Sequence, residues 1–358
     1  MACIEEGIRE EREEMGFDTI PVSRARIIQP YLEFMAKLGA PVDRWLEQCR
    51  LPLHIYGDSE AYIPTMNFGR FLSLAAEKAG IDDFGIRVSH DGIFNILGPR
   101  VVIAVHSAPT LLAGMKNYDQ TILGESNKVR VFISRRDGGT VQLTIRRAIT
   151  KGASGFFQSE WMCAISLVKM VQLFAGRPWQ PDTIELKTER VVPPLAHGLY
   201  PDVHFRTNQP ETCVTFPEEL LSLGRCSYGK EVVSELTGAT TDLEPSEPPA
   251  DYPSAVQALV TTYLREGYPS KELVAEIAGV SVRTLHRRLA SCGVNYKIVI
   301  NRARFEVAAR LLTETDLSSL EITFETGYED PSHFARGFRR ISGCSPSEYR
   351  RRQRVEVQ

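Results

Sequence analysis

Residues 327–350 read GYEDPSHFARGFRRISGCSPSEYR. At about 100° per residue, Phe334, Phe338 and Ile341 fall on one face of a helix. Ser332, His333, Arg336, Arg339 and Arg340 occupy the rest of its circumference. One side of such a helix is built to be buried and the other to meet negative charge. A lone basic helix is more often just a solvated face, so the reading depends on what surrounds it.

The same plan occurs upstream. LVAEIAGVSVRTLHRRLASCG (273–293) and LEITFETGYEDPSHFARGFRRISG (320–343) each read helix, glycine-containing turn, basic helix, glycine. That is a helix-turn-helix, twice. In the first copy Leu285 and Leu289 mark the buried face with Val282 beside them, and Ser281 stands as N-cap. Arg283, His286 and Arg287 project from the opposite side, as Ser332, His333 and Arg336 do in the second copy. An α-helix fits the major groove, where arginine pairs with guanine O6 and N7. These six residues are therefore the expected readers of base edges. Ser281, Arg288, Arg339 and Arg340 lie at the edges and suit phosphate, which positions without specifying.

Between the copies, VNYKIVINRARFEVAARLLTETD (294–316) has no Gly or Pro and reads as one helix. From Asn295 to Thr313 it would run about 28 Å at 1.5 Å per residue, against about 34 Å for a turn of B-DNA. Ile300, Val307 and Leu311 on one side, with Phe305 and Leu312 round the flank, suit a strut packed by both copies.

Charge follows the same division. Net charge is −3 overall, with +3 from residue 251 onward and −6 before it. Residues 281–310 and 331–354 each hold seven basic residues and one acidic. Clusters of this kind on a near-neutral background suit a polyanion.

The C-terminal part closely resembles the DNA-binding domain of AraC/XylS-type transcription regulators. The residues that carry the likeness are Gly327-Tyr328, Asp330, Ser332, Phe334, Arg336, Phe338, Arg339, Gly343, Pro346 and Tyr349-Arg350, with Ser281, Leu285, Arg287, Leu289 and Gly293 in the first copy. Thr323 departs from it, standing where the family usually has Ala. A hydroxyl buried there needs a partner, such as the carbonyl one turn back. The N-terminal part resembles the arabinose-binding-like sensor domain of the subgroup that includes ornithine-utilisation regulators. That likeness rests on Ile27 to Pro52, Ser107-Ala108-Pro109-Thr110-Leu111, the helix from Glu160 to Gly176 with Trp179 and Pro181 after it, and Phe205 to Phe216. The resemblance implies a promoter-binding regulator, an effector-responsive activator, with double-stranded promoter DNA, RNA polymerase, a small-molecule effector and a second copy of the chain as partners. It does not carry over the effector.

Four segments are expected. These are a charged arm at 1–19, an effector-binding and dimerisation domain at 20–236, a proline-rich acidic linker at 237–253, and the DNA-binding domain at 254–354. TGATTDLEPSEPPADYP (237–253) holds four prolines and four acids, a composition that resists helix and builds no core. The N-terminal domain reads as α+β with an antiparallel sheet, and the C-terminal domain as all-α, two helix-turn-helix units joined by a long helix. Val129, Val131 and Ile133 alternate, as do Val141, Leu143 and Ile145, with Arg136-Asp137-Gly138-Gly139 as the hairpin turn between them. SEWMCAISLVKMVQLFAG reads as a core helix, and DTIELKTE and ETCVTFPEELL as short strands.

The opening MACIEEGIREEREEMG is acidic and not a secretory signal. No apolar run approaches the roughly 18 to 20 residues of a membrane span, so no membrane partner is expected. Seven scattered cysteines without Cys-x-x-Cys fit reduced thiols in a cytoplasm. No cofactor, metal or catalytic residue is expected. An enzyme with an appended DNA-binding domain is the rival reading, but the chain has no Gly-rich phosphate loop, Gly-x-Ser-x-Gly elbow or metal-ligand cluster. Gly152-Ala153-Ser154-Gly155 is too short and reads as a flexible turn. A regulator without ligand, controlled by a partner protein, is the third reading. Arg100, His106, Arg146 and Arg147 could hold an acidic effector, although surface charge is the commoner role for each.

Overall fold

The computed structural model describes residues 19–238 and 248–356. The charged arm before Thr19 and the core of the acidic linker, 239–247, lie outside them. The described chain forms two compact units. Of the described residues, one holds 23–60, 65–238 and 248; the other holds 19–22, 61–64 and 249–356.

The first unit opens with a short strand, β1 (Val22–Arg24), whose first residue belongs to the second unit. Helix α1 (Gln29–Lys37) carries proline in its first turn and buries Tyr31, Leu32 and Met35. After Gly39, with φ of 74°, comes α2 (Val42–Gln48). Strand β2 (Tyr62–Pro64) follows, and its residues belong to the second unit. Helix α3 (Thr65–Ala79) buries Phe68, Phe71, Leu72 and Ala75 and stops at Gly80.

Two helices then follow that the sequence reading left unassigned, α4 (Phe84–Ser107) and α5 (Leu111–Glu125). Helix α4 bends at Gly98, with φ 78° and ψ 160°, just before Pro99. Glycine is required there because φ of 78° with ψ of 160° is a backbone conformation that residues with a Cβ rarely adopt. The Gly-Pro pair reads as a break, and α4 is apolar round much of its circumference, so no one-faced pattern marks it.

The hairpin forms as expected. Strands β3 (Val129–Arg136) and β4 (Thr140–Arg147) pair Val131 with Ile145 and Ile133 with Leu143. Gly138 and Gly139 both take positive φ in the turn. Helix α6 (Phe156–Ala175) is buried along nearly its whole length. It carries Glu160, which accepts hydrogen bonds from the Thr188 amide at 3.1 Å and the Thr212 hydroxyl at 2.8 Å. A carboxylate can sit inside a core on those terms. Beyond it come β5 (Thr183–Glu185), α7 (Pro194–Leu199), β6 (His204–Arg206), β7 (Thr212–Pro217) and α8 (Ser227–Gly238).

The five-stranded sheet runs β3-β4-β7-β5-β6. It is not wholly antiparallel, as had been expected, because β5 and β6 are parallel, pairing Ile184 with Phe205. The connection between them carries α7, and a helical crossover is what returns a strand in the same direction.

The second unit is built of helices, apart from residues 19–22 and 61–64. Its helices are α9 (Tyr252–Tyr263), α10 (Lys271–Ile277), α11 (Val282–Ser291), α12 (Tyr296–Glu314), α13 (Ser319–Glu325), α14 (Pro331–Ser342) and α15 (Pro346–Glu356). Asp251, Ser270, Ser281, Asn295, Ser318 and Asp330 cap the first six through their side chains. Tyr252 and Pro253, at the end of the stretch read as linker, open α9 instead. Ile20, Val22 and the partly buried Tyr62 pack in this unit's first core, and the Thr262 hydroxyl donates to the Tyr62 carbonyl at 2.8 Å.

Gly155 tests the packing of the first unit. Its φ is 73°, and a Cβ would lie 2.1 Å from the Gly69 carbonyl oxygen. Gly155→Ala is expected to cost about 3 kcal/mol or more. Urea unfolding followed by tryptophan fluorescence checks this, since Trp45, Trp161 and Trp179 all lie in that unit.

Candidate nucleic-acid interface

Helices α11 and α14 stand on separate hydrophobic cores. The first gathers residues of α9 to α12, with Leu285 and Leu289 from α11. The second gathers Ala308, Leu311, Leu312, Ile322, Phe334 and Phe338. Burying Leu or Phe contributes about 1.5–3 kcal/mol each, which locks one face of each helix inward and leaves the other outward.

On α11, Arg283, His286 and Arg287 are exposed. Ser281 accepts from the Thr284 amide at 3.2 Å, so its hydroxyl serves the cap. Arg288 is half-buried, with its guanidinium carbon 5.3 Å from the Tyr252 ring centroid. On α14, Ser332, His333, Arg336, Arg339 and Arg340 are all exposed. Asp330 accepts from the Ser332 amide at 2.7 Å. That hydrogen bond, with His333 and Arg336 adding to it, holds the Asp330 carboxyl below the usual carboxylate range. Gly343, in the left-handed region at φ 78°, closes the helix by donating to the Arg339 carbonyl.

Ile341 departs from expectation. It lies on the face of Phe334 and Phe338 but is 43% exposed. It belongs to the last turn of α14, where it lines a small surface pocket with Phe305 and Phe338 instead of entering the core. Thr323 resolves as the sequence suggested. It is fully buried and its hydroxyl donates to the Ser319 carbonyl at 2.7 Å.

In the first unit, the four residues considered for an acidic effector are engaged internally and do not converge. Arg100 pairs with Glu60 at 3.1 Å and Arg146 with Glu211 at 3.1 Å. Arg147 reaches the Phe156 carbonyl at 3.3 Å and the Ser159 hydroxyl. His106 is buried beside Phe174, and burial lowers its pKa below the usual histidine value. A cavity of about 40 Å³ lies elsewhere, walled by Ile93, Ile96, Leu97, Tyr118, Ile122 and Ile145. The ion pair between Arg26 and Glu125, at 3.0 Å, also lines it. Among the described residues no group of His, Cys, Asp and Glu is placed to hold a metal ion, and no helix is long and apolar enough to cross a membrane.

Comparison with known proteins places this geometry in a wider set. Residues 39–224 match the arabinose-binding domain of AraC transcription regulators, and residues 274–352 match a helix-turn-helix domain. The HTH-type transcriptional regulator VirS of Mycobacterium tuberculosis is 27% identical over 348 residues, spanning 91% of this chain and 96% of that protein. The ornithine utilization regulator of Pseudomonas aeruginosa is 25% identical over 350 residues, 93% of this chain and 96% of that protein. The transcriptional activator NphR of a Rhodococcus species is 35% identical over 96 residues, 27% of this chain and 29% of that protein.

The Thr323 hydroxyl donates to a carbonyl that also takes a backbone bond of the helix, so removing it strands no acceptor. Thr323→Ala is therefore expected to cost no more than about 1 kcal/mol and to leave DNA affinity unchanged. Urea denaturation and a binding titration check both halves, and a loss above about 2 kcal/mol would show the hydroxyl to be essential.

Proposed function

The chain belongs to the AraC family of DNA-binding transcription regulators, and on that premise we propose that α11 and α14 read two successive major grooves of a promoter. One observation carries this reading. Two capped helices, each buried on one side and basic on the other, stand on separate cores bridged by the 19 residues of α12. That bridge is about 28 Å long, close to one turn of B-DNA at about 34 Å.

In this reading Arg283, His286 and Arg287, with Ser332, His333 and Arg336, meet base edges. Arg288, Arg339 and Arg340 meet phosphate, and Ser281 joins them at the N-terminus of α11. The chain acts as a homodimeric activator that engages RNA polymerase. The first unit senses a small molecule, whose apolar part enters the cavity walled by Ile96, Tyr118 and Ile122. Occupancy shifts the population competent to hold the promoter.

Arg336→Ala is expected to cost about 1–3 kcal/mol on the cognate site and to relax preference at one base position. Arg340→Ala should weaken all sequences about equally and flatten the salt dependence. Titrations over several salt concentrations separate the two, and identical behaviour would overturn the division of roles.

A screen of metabolites against operator affinity and reporter output tests sensing. At least one mainly apolar compound is expected to change affinity about 5- to 150-fold, and Ile122→Phe, which fills the cavity, to abolish the response. If nothing in a broad panel alters either readout, the sensing role falls. A response that survives Ile122→Phe would place the site elsewhere.

A further inference from the structure

Arg304 is the odd residue on α12. It lies four residues after Ile300 and four before Ala308, on the stripe that faces the cores. A cation on such a stripe is costly unless specific partners receive it. The structure supplies them from both sides. The guanidinium carbon is 4.0 Å from the Tyr328 ring centroid and 4.9 Å from that of Tyr268. Its Nη2 also donates to the Gly327 carbonyl.

Tyr268 belongs to the segment joining α9 to α10, on the side of the first core. Gly327 and Tyr328 form the turn between α13 and α14, on the side of the second. A second contact runs alongside. Gly327 takes φ of 67°, and a Cβ there would lie 2.8 Å from the Gly267 carbonyl oxygen. Arg265 pairs with Glu325 at 2.7 Å. The Tyr296 hydroxyl donates to the Pro269 carbonyl at 2.5 Å, tying the Tyr268 segment to the start of α12.

The clasp reaches the basic helix directly. Gly337 of α14 has no side chain because Tyr328 lies against it, and a Cβ would fall 2.4 Å from the tyrosine oxygen. The chain of contact therefore runs from Tyr268 through Arg304 and Tyr328 to α14. A shared helix alone leaves two lobes free to bend and twist about it. A planar cation stacked between rings from both lobes removes that freedom.

We propose that Arg304 is a positioning residue for DNA recognition: stacked between Tyr268 and Tyr328, it fixes the separation and angle of α11 and α14, and so sets the operator spacing that the protein accepts. The proposal rests on the two-groove reading above.

The test uses the full-length protein and a duplex selected from a random library by the protein itself. One base pair is then inserted or removed between the two recognised elements. Each such change moves one element by about 3.4 Å and turns it by about 34°. The wild type is expected to lose about tenfold or more in affinity at either altered spacing. Arg304→Met, which keeps the bulk but not the stacking cation, is expected to bind the native spacing about tenfold more weakly. Its discrimination between spacings should fall to about threefold or less. Arg304→Lys should follow Met, because an ammonium cannot stack as a plane.

A purely stabilising role would weaken every spacing by one factor and leave the ratio intact. That result in a folded Arg304→Met overturns the proposal. A wild type indifferent to spacing overturns the two-groove reading itself, and the positioning role with it. If circular dichroism shows Arg304→Met to be unfolded, Tyr268→Ala decides. That ring is 54% exposed, so its removal spares the core. Lost spacing discrimination in Tyr268→Ala supports the clasp, and unchanged discrimination refutes it.

Discussion

One helix, α12, divides its apolar residues between two cores. Tyr296, Val299, Ile300 and Ala303 enter the first, and Ala308, Leu311 and Leu312 enter the second. Neither α11, of 10 residues, nor α14, of 12, would hold its shape alone in water. Each is helical and correctly turned because its apolar residues are pulled off solvent, Leu285 and Leu289 into the first core beside α9 and α10, and Phe334 and Phe338 into the second beside α12. The outward direction of every arginine on those helices follows from that burial. Charge contributes little to the fold here, because most of the basic side chains proposed to meet DNA are exposed and give little stability in water.

The first unit meets a different constraint. Its central helix, α6, is covered nearly all round, so the polar residues it carries need partners inside the protein. Glu160 finds backbone amides and a hydroxyl, and Ser166 is bonded by Tyr118 at 3.0 Å. Arginines that look like ligand-binding charge in the sequence are spent in the same way, on Glu60, Glu211 and the Phe156 carbonyl. One small cavity among these elements is apolar, with the Arg26–Glu125 ion pair on its wall.

How far the chain could be read from its residues depended on how local the cause was. Caps, left-handed glycines and one-faced helices are decided within a few residues, so the hairpin at Asp137–Gly139 and the sidedness of α11 and α14 were legible. Helix α4 was not, because Gly98-Pro99 looks like a stop and its apolar residues mark no single face. The exposure of Ile341 was not, because periodicity names a face without saying where the opposing residues end. Arg304 carried a faint signal, a charge on a buried stripe, whose meaning appeared only with Tyr268 and Tyr328 on either side of it.

The sequence by itself determined that the chain ends in two basic helices of helix-turn-helix pattern behind an acidic, proline-rich stretch, since period, capping and composition are properties of neighbouring residues. Only the tertiary structure decided that β5 and β6 run parallel and that residues 61–64 belong with the helical unit. It alone decided that Arg304 binds the two lobes together. Those outcomes depend on residues far apart in the chain, whose meeting is set by which surfaces bury each other, and no local pattern records that.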